Sequence, residues 1–116
     1  MKTVKTFTAI IYVGFKERNT DQLHDIAEVH GICQQWVNRV GQCVTVTPTE
    51  YIYTNGNEPG AVIGFINYPR FPSSRRILQH QALELAGQLM LGLNQYRVSI
   101  VFPHKTVMLS NPGLVK

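Results

Sequence analysis

The sequence predicts an α+β domain of the ferredoxin-like, split βαβ type, ordered β-α-β-β-α-β with two helices and a short C-terminal hairpin. Three observations predict it. Stretches of two-residue alternation and of three-to-four-residue apolar spacing follow one another in that order. Turn and capping residues stand at the joins. The chain has 116 residues, 44% hydrophobic and 16% charged, enough apolar surface for one core. Residues 1–116 therefore read as a single domain, without repeats, low-complexity tracts or linkers, and the apolar content excludes disorder.

The first strand is expected over Thr3 to Phe15. Asn19-Thr20-Asp21-Gln22 supplies a helix start, and Leu23, Ile26, Ala27, Val29, Cys33, Trp36, Val37 and Val40 recur at helical spacing up to Gly41, a left-handed C-terminal cap. Cys43 to Thr47 alternates and is β-branched. Pro48 interrupts it, which argues for an edge position or a bulge, and Tyr51 to Thr54 continues it. Asn55 to Gly60 reads as a turn, and Ala61 to Asn67 as the returning strand of a hairpin. Tyr68-Pro69-Arg70-Phe71-Pro72 is extended, because each proline restricts the residue before it. Ser73 or Ser74 caps a second helix with the stripe Ile77, Leu78, Ala82, Leu85, Leu89 and Leu93, in which Gly87 and Gly92 allow close approach. Arg97 to Phe102 forms the last long strand, and Thr106 to Leu109 a short one before Asn111-Pro112-Gly113.

Both alternating sets of the first and third strands carry large apolar residues: Phe7, Ile11 and Val13 against Ile10 and Tyr12, and Val62 and Ile66 against Ile63 and Phe65. Two apolar faces predict self-association through the sheet. No stretch approaches about 18 uninterrupted apolar residues, so no membrane span is expected. The N-terminal apolar run leads into Lys16-Glu17-Arg18 instead of a cleavage site. Cys33 and Cys43 lack disulfide or C-x-x-C spacing and are expected to be buried thiols. Together these readings predict a cytoplasmic protein.

The net charge is +4, and the surplus is uneven. Residues 1–70 carry six basic and six acidic side chains. Residues 71–116 carry Arg75, Arg76, Arg97, Lys105 and Lys116 against Glu84 alone. A localised basic surface suits an anionic partner. Arg75 and Arg76 fall at the positive end of the second helix, where cations are unfavourable unless an anion sits between them. With the Ser74 hydroxyl, free N–H groups and Arg70 nearby, they describe a phosphate or carboxylate site. Tyr68 and Phe71 stand beside it as candidates for base stacking. A structural loop that uses its prolines for rigidity and Phe71 for packing explains the same residues equally well.

The histidines His24, His30, His80 and His104 form no metal-binding spacing, and neither a metal nor a cofactor is expected. His24 and His30 are expected on the solvated side of the first helix. His80 and Glu84, one turn apart, resemble an acid and its orienting base, but an exposed i,i+4 pair is the commoner arrangement. No nucleophile elbow or paired-carboxylate motif is present, so no catalytic residue is assigned and the chain reads as a non-enzymatic binding protein. The third strand lacks the basic and aromatic residues of an RNA-recognition motif. A net charge of only +4 likewise argues against nucleic acid.

The layout, with its Thr54-Asn55-Gly56-Asn57-Glu58-Pro59-Gly60 turn and Asn67-Tyr68-Pro69-Arg70-Phe71-Pro72 segment, resembles small phage-encoded Thoeris anti-defence sponges. The resemblance implies capture of a cyclic ADP-ribose isomer or a cyclic oligonucleotide in host cytoplasm, hiding an immune signal. It also implies assembly into dimers or larger oligomers with ligand at subunit boundaries. An aromatic stacks on adenine in that family, and arginine and amide side chains hold phosphates and riboses, roles that Phe71, Arg97 and Gln81 fit. The ligand-binding set expected is then Arg70, Phe71, Ser74, Arg75, Arg76, Gln81 and Arg97. A second function class is a protein-interaction module docking through the sheet or the first helix, for which an exposed Trp36 would speak.

Overall fold

A computed structural model describes residues 1–114. The elements are β1 (Thr8–Gly14), α1 (Ile26–Val40), β2 (Thr45–Tyr53), β3 (Gly56–Ile66), α2 (Arg75–Gly92), β4 (Arg97–Val101) and β5 (Thr106–Ser110). They form one antiparallel sheet in the order β2-β3-β1-β4-β5, the ferredoxin-like arrangement with a hairpin strand added beside β4. Both helices lie on one face, α1 over β2 and β3, α2 over β1 and β4. Lys116, part of the basic surplus, lies outside the described residues.

Alternation decides which side chains meet the helices. Ile11 and Val13 of β1, Ala61, Ile63 and Phe65 of β3, and Val98 and Ile100 of β4 are all buried. They pack with Val29, Cys33 and Trp36 of α1 and with Leu78, Ala82, Leu85 and Leu89 of α2. Trp36 is the largest fully buried side chain. It meets the Phe65 ring edge-on with centroids 5.8 Å apart, and its indole nitrogen donates to Glu84 at 2.7 Å. An exposed Trp36 would have favoured a protein partner, and this burial removes that feature. Glu84 pairs with Trp36 and Arg39, not with His80. The opposite residues of the five strands leave the second sheet face open, with Tyr12, Tyr53, Ile66 and Met108 exposed and Ile10 and Val62 half-buried.

Four local expectations change. α1 starts later than Asn19: Asp25 is its N-cap and forms a capping box with Glu28, while Gly41 closes the helix at φ 75° as expected. Acidic Asp25 and Glu28 satisfy the first turn's N–H groups better than Asn19 can. His24 therefore precedes the helix and is buried, not solvated. The hairpin turn is shorter than Asn55 to Gly60. Tyr53 pairs with Gly56 around Thr54 and Asn55, and Asn55 takes the left-handed conformation at φ 62°. This draws Asn57, Glu58 and Pro59 into β3. Finally, Cys43 is exposed and donates to the Tyr68 hydroxyl at 3.4 Å, whereas Cys33 is a buried thiol pushed up to about 11 by burial. Pro48 does sit on an edge strand, since β2 has no neighbour beyond it.

Trp36→Phe removes a hydrogen bond to a carboxylate and leaves a void beside Phe65. A loss of about 2 kcal/mol in urea-unfolding stability is expected, with the far-UV spectrum unchanged.

Candidate functional site

The open sheet face is shaped by what its glycines omit. Gly56, Gly60 and Gly64 stand four residues apart on β3, so all three present their missing side chains to the same face. Tyr53 and Tyr51 of the neighbouring edge strand fill the first two gaps. A methyl on Gly56 would meet the Tyr53 ring, and one on Gly60 would meet both the Tyr51 ring and the Val13 carbonyl. Tyr51 thus lies across β3, and its hydroxyl donates to the carbonyls of Val13 and Ala61, each at 3.1 Å. Burial pushes this phenol up to about 12, against the pull of the Val13 hydrogen bond and with help from the nearby Glu58 charge. Tyr51 is a structural donor, not a base.

Opposite Tyr51 in the register stands Glu58, brought to this face by the short turn. Its carboxylate reaches over Gly14 at the end of β1. Glu58 Oε2 and Gln95 Oε1 lie 3.2 and 3.3 Å from where a Gly14 side chain would begin. The Gln95 amide nitrogen donates to the carbonyls of Leu93 (3.1 Å) and Lys16 (3.3 Å), so its oxygen is the end left over Gly14. Two acceptor oxygens therefore converge above one glycine. Such a spot attracts a cation or a pair of hydroxyl donors.

These groups border a cavity of about 580 Å³, within the range of small-molecule sites. Tyr12, Tyr51, Tyr53 and Tyr96 supply aromatic surface, and Lys16, Arg18 and Arg97 supply positive charge. The Arg18 guanidinium lies over the Tyr96 ring, 5.5 Å from its centroid. Among the described residues the ion pairs are His24 with Glu17 and Glu28, and Arg39 with Glu84. Hence the cavity's three cations and its Glu58 carboxylate are not neutralised by one another. No group of His, Cys, Asp and Glu side chains among the described residues could hold a metal ion.

Of the residues singled out in the sequence, only Arg97 lines this cavity. Arg75 and Arg76 open α2 while Arg97 follows its end, and 18 helical residues span about 27 Å. Within one chain, a single pocket cannot hold both. Arg75 and Arg76 are exposed and form no ion pair among the described residues. Ser74 is the N-cap of α2 and accepts from the Ile77 N–H at 3.2 Å. Arg70 lies exposed in the turn before it. Phe71 stacks on Tyr68, with centroids 5.1 Å apart, and so already has the partner a base was expected to be. Gln81 accepts from the Gln42 side chain at 2.9 Å. Asn67 braces this segment by donating to the Lys5 carbonyl and accepting from the Ser73 N–H, both at 3.0 Å. These contacts brace residues 67–74 against the N-terminal segment.

The site that formed instead was signalled by the glycine spacing on β3 and by Tyr51 and Tyr53 at alternate positions opposite it. Reading Glu58 as a turn residue concealed the carboxylate.

No protein-family model and no curated protein matches the sequence. Solved structures do match its fold. One is a phage SAM lyase in complex with S-methyl-5'-thioadenosine, at TM-score 0.80 and 15% identity over 100% of this chain and 97% of that one. Another is a phage SAM lyase in the apo state, at TM-score 0.68 and 16% identity over 91% and 90%. The neighbours are enzymes. This overturns the expectation of a non-enzymatic sponge for a phosphate-bearing signal. The ligand in the first neighbour is a nucleoside thioether without phosphate. As for membranes, no helix among the described residues is long and apolar enough to cross one.

Gly60→Ala forces a methyl against backbone and a packed ring, and is expected to cost about 1–3 kcal/mol of unfolding free energy. Gly14→Ala meets side-chain oxygens instead of backbone, Glu58 Oε2 at 3.2 Å and the hydrogen-bonded Gln95 Oε1 at 3.3 Å. Thermal melting should show it between Gly60→Ala and the wild type.

Proposed function

We propose that this chain is a lyase that cleaves the sulfonium of S-adenosylmethionine, releasing S-methyl-5'-thioadenosine. The observation that carries the reading is a single cavity holding unneutralised charge of both signs, set among tyrosines. S-adenosylmethionine has matching features: an aromatic base, two cationic centres (the sulfonium and the α-ammonium) and a carboxylate. The full-length fold match to a lyase bound to the thioether product supports the same ligand class.

The assignment follows from charge and reach. Glu58 and Gln95 Oε1, over Gly14, receive the cationic part of the substrate. Arg97, with Lys16 and Arg18, orients the carboxylate. Tyrosine rings offer faces to the base and to the sulfonium. In the reaction the S–Cγ bond breaks and its electron pair stays on sulfur, leaving a neutral thioether. One oxygen of the substrate's own carboxylate bonds to Cγ and closes a five-membered lactone. Positive and negative charge cancel in this step, so neither a water, a metal nor a proton acceptor is required. The transition state is less polar than the bound substrate, and a cavity walled by aromatic rings favours it over water. The protein's part is to bind the substrate folded, with carboxylate oxygen and Cγ close.

Self-association through the open face belongs to the proposal. Ile10, Tyr12, Val62, Ile66 and Met108 line that face beside the cavity, and a second copy covering them would further exclude water. The setting proposed is the cytoplasm of a phage-infected cell, where S-adenosylmethionine is abundant.

Incubating the purified protein with S-adenosylmethionine should yield S-methyl-5'-thioadenosine and the lactone in equal amounts by liquid chromatography–mass spectrometry. Glu58→Gln should lower kcat/KM about 100-fold and Arg97→Ala about tenfold or more, with melting temperatures little changed. A well-folded protein that releases no thioether would sink the lyase reading.

A further inference from the structure

Behind the cavity wall lies a buried charge cluster that the proposed chemistry does not use. His24 is flanked by two carboxylates: Nε2 lies 2.5 Å from Glu17 Oε2, and Nδ1 lies 3.0 Å from both oxygens of Glu28. Ionised carboxylates only accept hydrogen bonds, so both ring nitrogens must donate, and the ring is the imidazolium. His24 and Glu17 are both buried. The other end of Glu17 accepts from Asn94 Nδ2 at 2.9 Å and from the Thr20 hydroxyl at 3.2 Å. Glu28 is tied to the α1 capping box through the Asp25 N–H at 2.8 Å.

The cluster's position gives it a consequence. Glu17 stands between Lys16 and Arg18, and Asn94 immediately precedes Gln95, Tyr96 and Arg97. These two stretches make one wall of the cavity. They are joined by three contacts: Asn94 to Glu17, Gln95 to the Lys16 carbonyl, and Arg18 over Tyr96. The first is the one charge-assisted hydrogen bond of the three. Its carboxylate is held in place by His24, whose backbone also donates to the Phe15 carbonyl at 2.9 Å.

We propose that protonated His24 is a positioning residue, which through Glu17 and Asn94 clamps residues 16–18 to residues 95–97 and so aligns the cationic wall of the cavity. The inference rests on the lyase reading only for its kinetic consequence. The clamp itself is a property of the folded chain.

The charges acting on His24 are Glu17 from the β1–α1 segment and Glu28 from α1. The α2–β4 turn faces the cluster with neutral Asn94. Burial works against the imidazolium, but the hydrogen bonds to Glu28 and Glu17 outweigh it and raise His24 above its ordinary value. Glu17 is lowered, chiefly by Asn94 and then by His24. The histidine's contribution is complete below its unfolded value and disappears as pH rises through its raised folded value. The carboxylate's contribution is complete above its unfolded value and disappears as pH falls through its lowered one. The clamp is therefore closed between the lowered folded value of Glu17 and the raised folded value of His24, and it opens as pH rises through the latter.

His24→Gln and Glu17→Gln are compared with the wild type by amide hydrogen exchange and by S-adenosylmethionine turnover. In both variants, protection of residues 16–18 and 94–97 is expected to fall about tenfold at about pH 6, below the unfolded value of His24, the effect of one charge-assisted hydrogen bond, with residues 61–65 unchanged. KM should rise about tenfold with kcat nearly constant. Wild-type KM should climb more steeply than that of His24→Gln as His24 deprotonates, since the substrate's own ammonium contributes equally to both. Unchanged protection at residues 94–97 in both variants would overturn the clamp, as would a wild-type pH profile of KM in His24→Gln. If wild-type protein makes no thioether, the lyase reading fails alone and the exchange data still decide the clamp. Should the variants not fold, wild-type protection factors between about pH 6 and pH 9 replace them. Constant protection at residues 94–97 while the His24 ring titrates by NMR refutes the proposal.

Discussion

One side chain laid across the sheet governs the site. Tyr51 leaves the edge strand, passes over Gly60 and ends on the carbonyls of Val13 and Ala61. Its ring occupies space that any other residue at position 60 would need, and its hydroxyl bridges two strands on the open face. With the ring fixed, Glu58 has one direction left, over Gly14 and toward Gln95. A carboxylate on a half-exposed strand would ordinarily point into solvent. Here it becomes one edge of a cavity because the sheet beneath it carries almost no side chains.

The arrangement separates stability from chemistry by sheet face. The helix-covered face holds Trp36, Phe65 and the leucines of α2, and supplies the apolar burial that makes the domain fold. The open face holds tyrosines, glycines, one carboxylate and three cations, few of which help the core. Glycines within a strand weaken it, and unpaired charges contribute little to stability. Their concentration on one face beside one cavity is what the proposed ligand, with charge of both signs, would require. Ferredoxin-like domains leave this face free because both crossover connections return over the other side.

The cavity wall shows how a small domain organises loops it cannot bury. Residues 16–18 and 95–97 both lie at strand ends, where backbone pairing stops. Side chains take over from the ladder: Asn94 to Glu17, Gln95 to Lys16, Arg18 over Tyr96, and Asn111 donating to the Gln95 carbonyl at 3.1 Å. Histidine suits the centre of such a network. As an imidazolium it offers two donors at once, and it connects the first helix's cap to the turn that follows the second helix.

Much of the fold was legible in the local sequence, because period, capping and turn chemistry act over a few residues. The two helices, the order of elements, Gly41 at its cap and Pro48 on an edge all belong to that class. The site was not legible, for the same physical reason. Arg75 and Arg76 stand out along the chain as cations at a helix start, yet Arg97 lies a whole helix away from them. Tyr12, Gly14, Glu58 and Gln95 are undistinguished where they occur and come together only when β1 pairs with β3 and the second helix returns the chain to β4. Whether Asn55 to Gly60 is a loop or a two-residue turn decides whether Glu58 faces solvent or the cavity. That choice is made by strand register, which the pairing of Tyr51 with Glu58 enforces across the sheet. The sequence by itself determined the type and order of the elements and the apolar stripes that build the core. Tertiary pairing alone decided which polar groups share a cavity, since proximity between distant segments has no local signature.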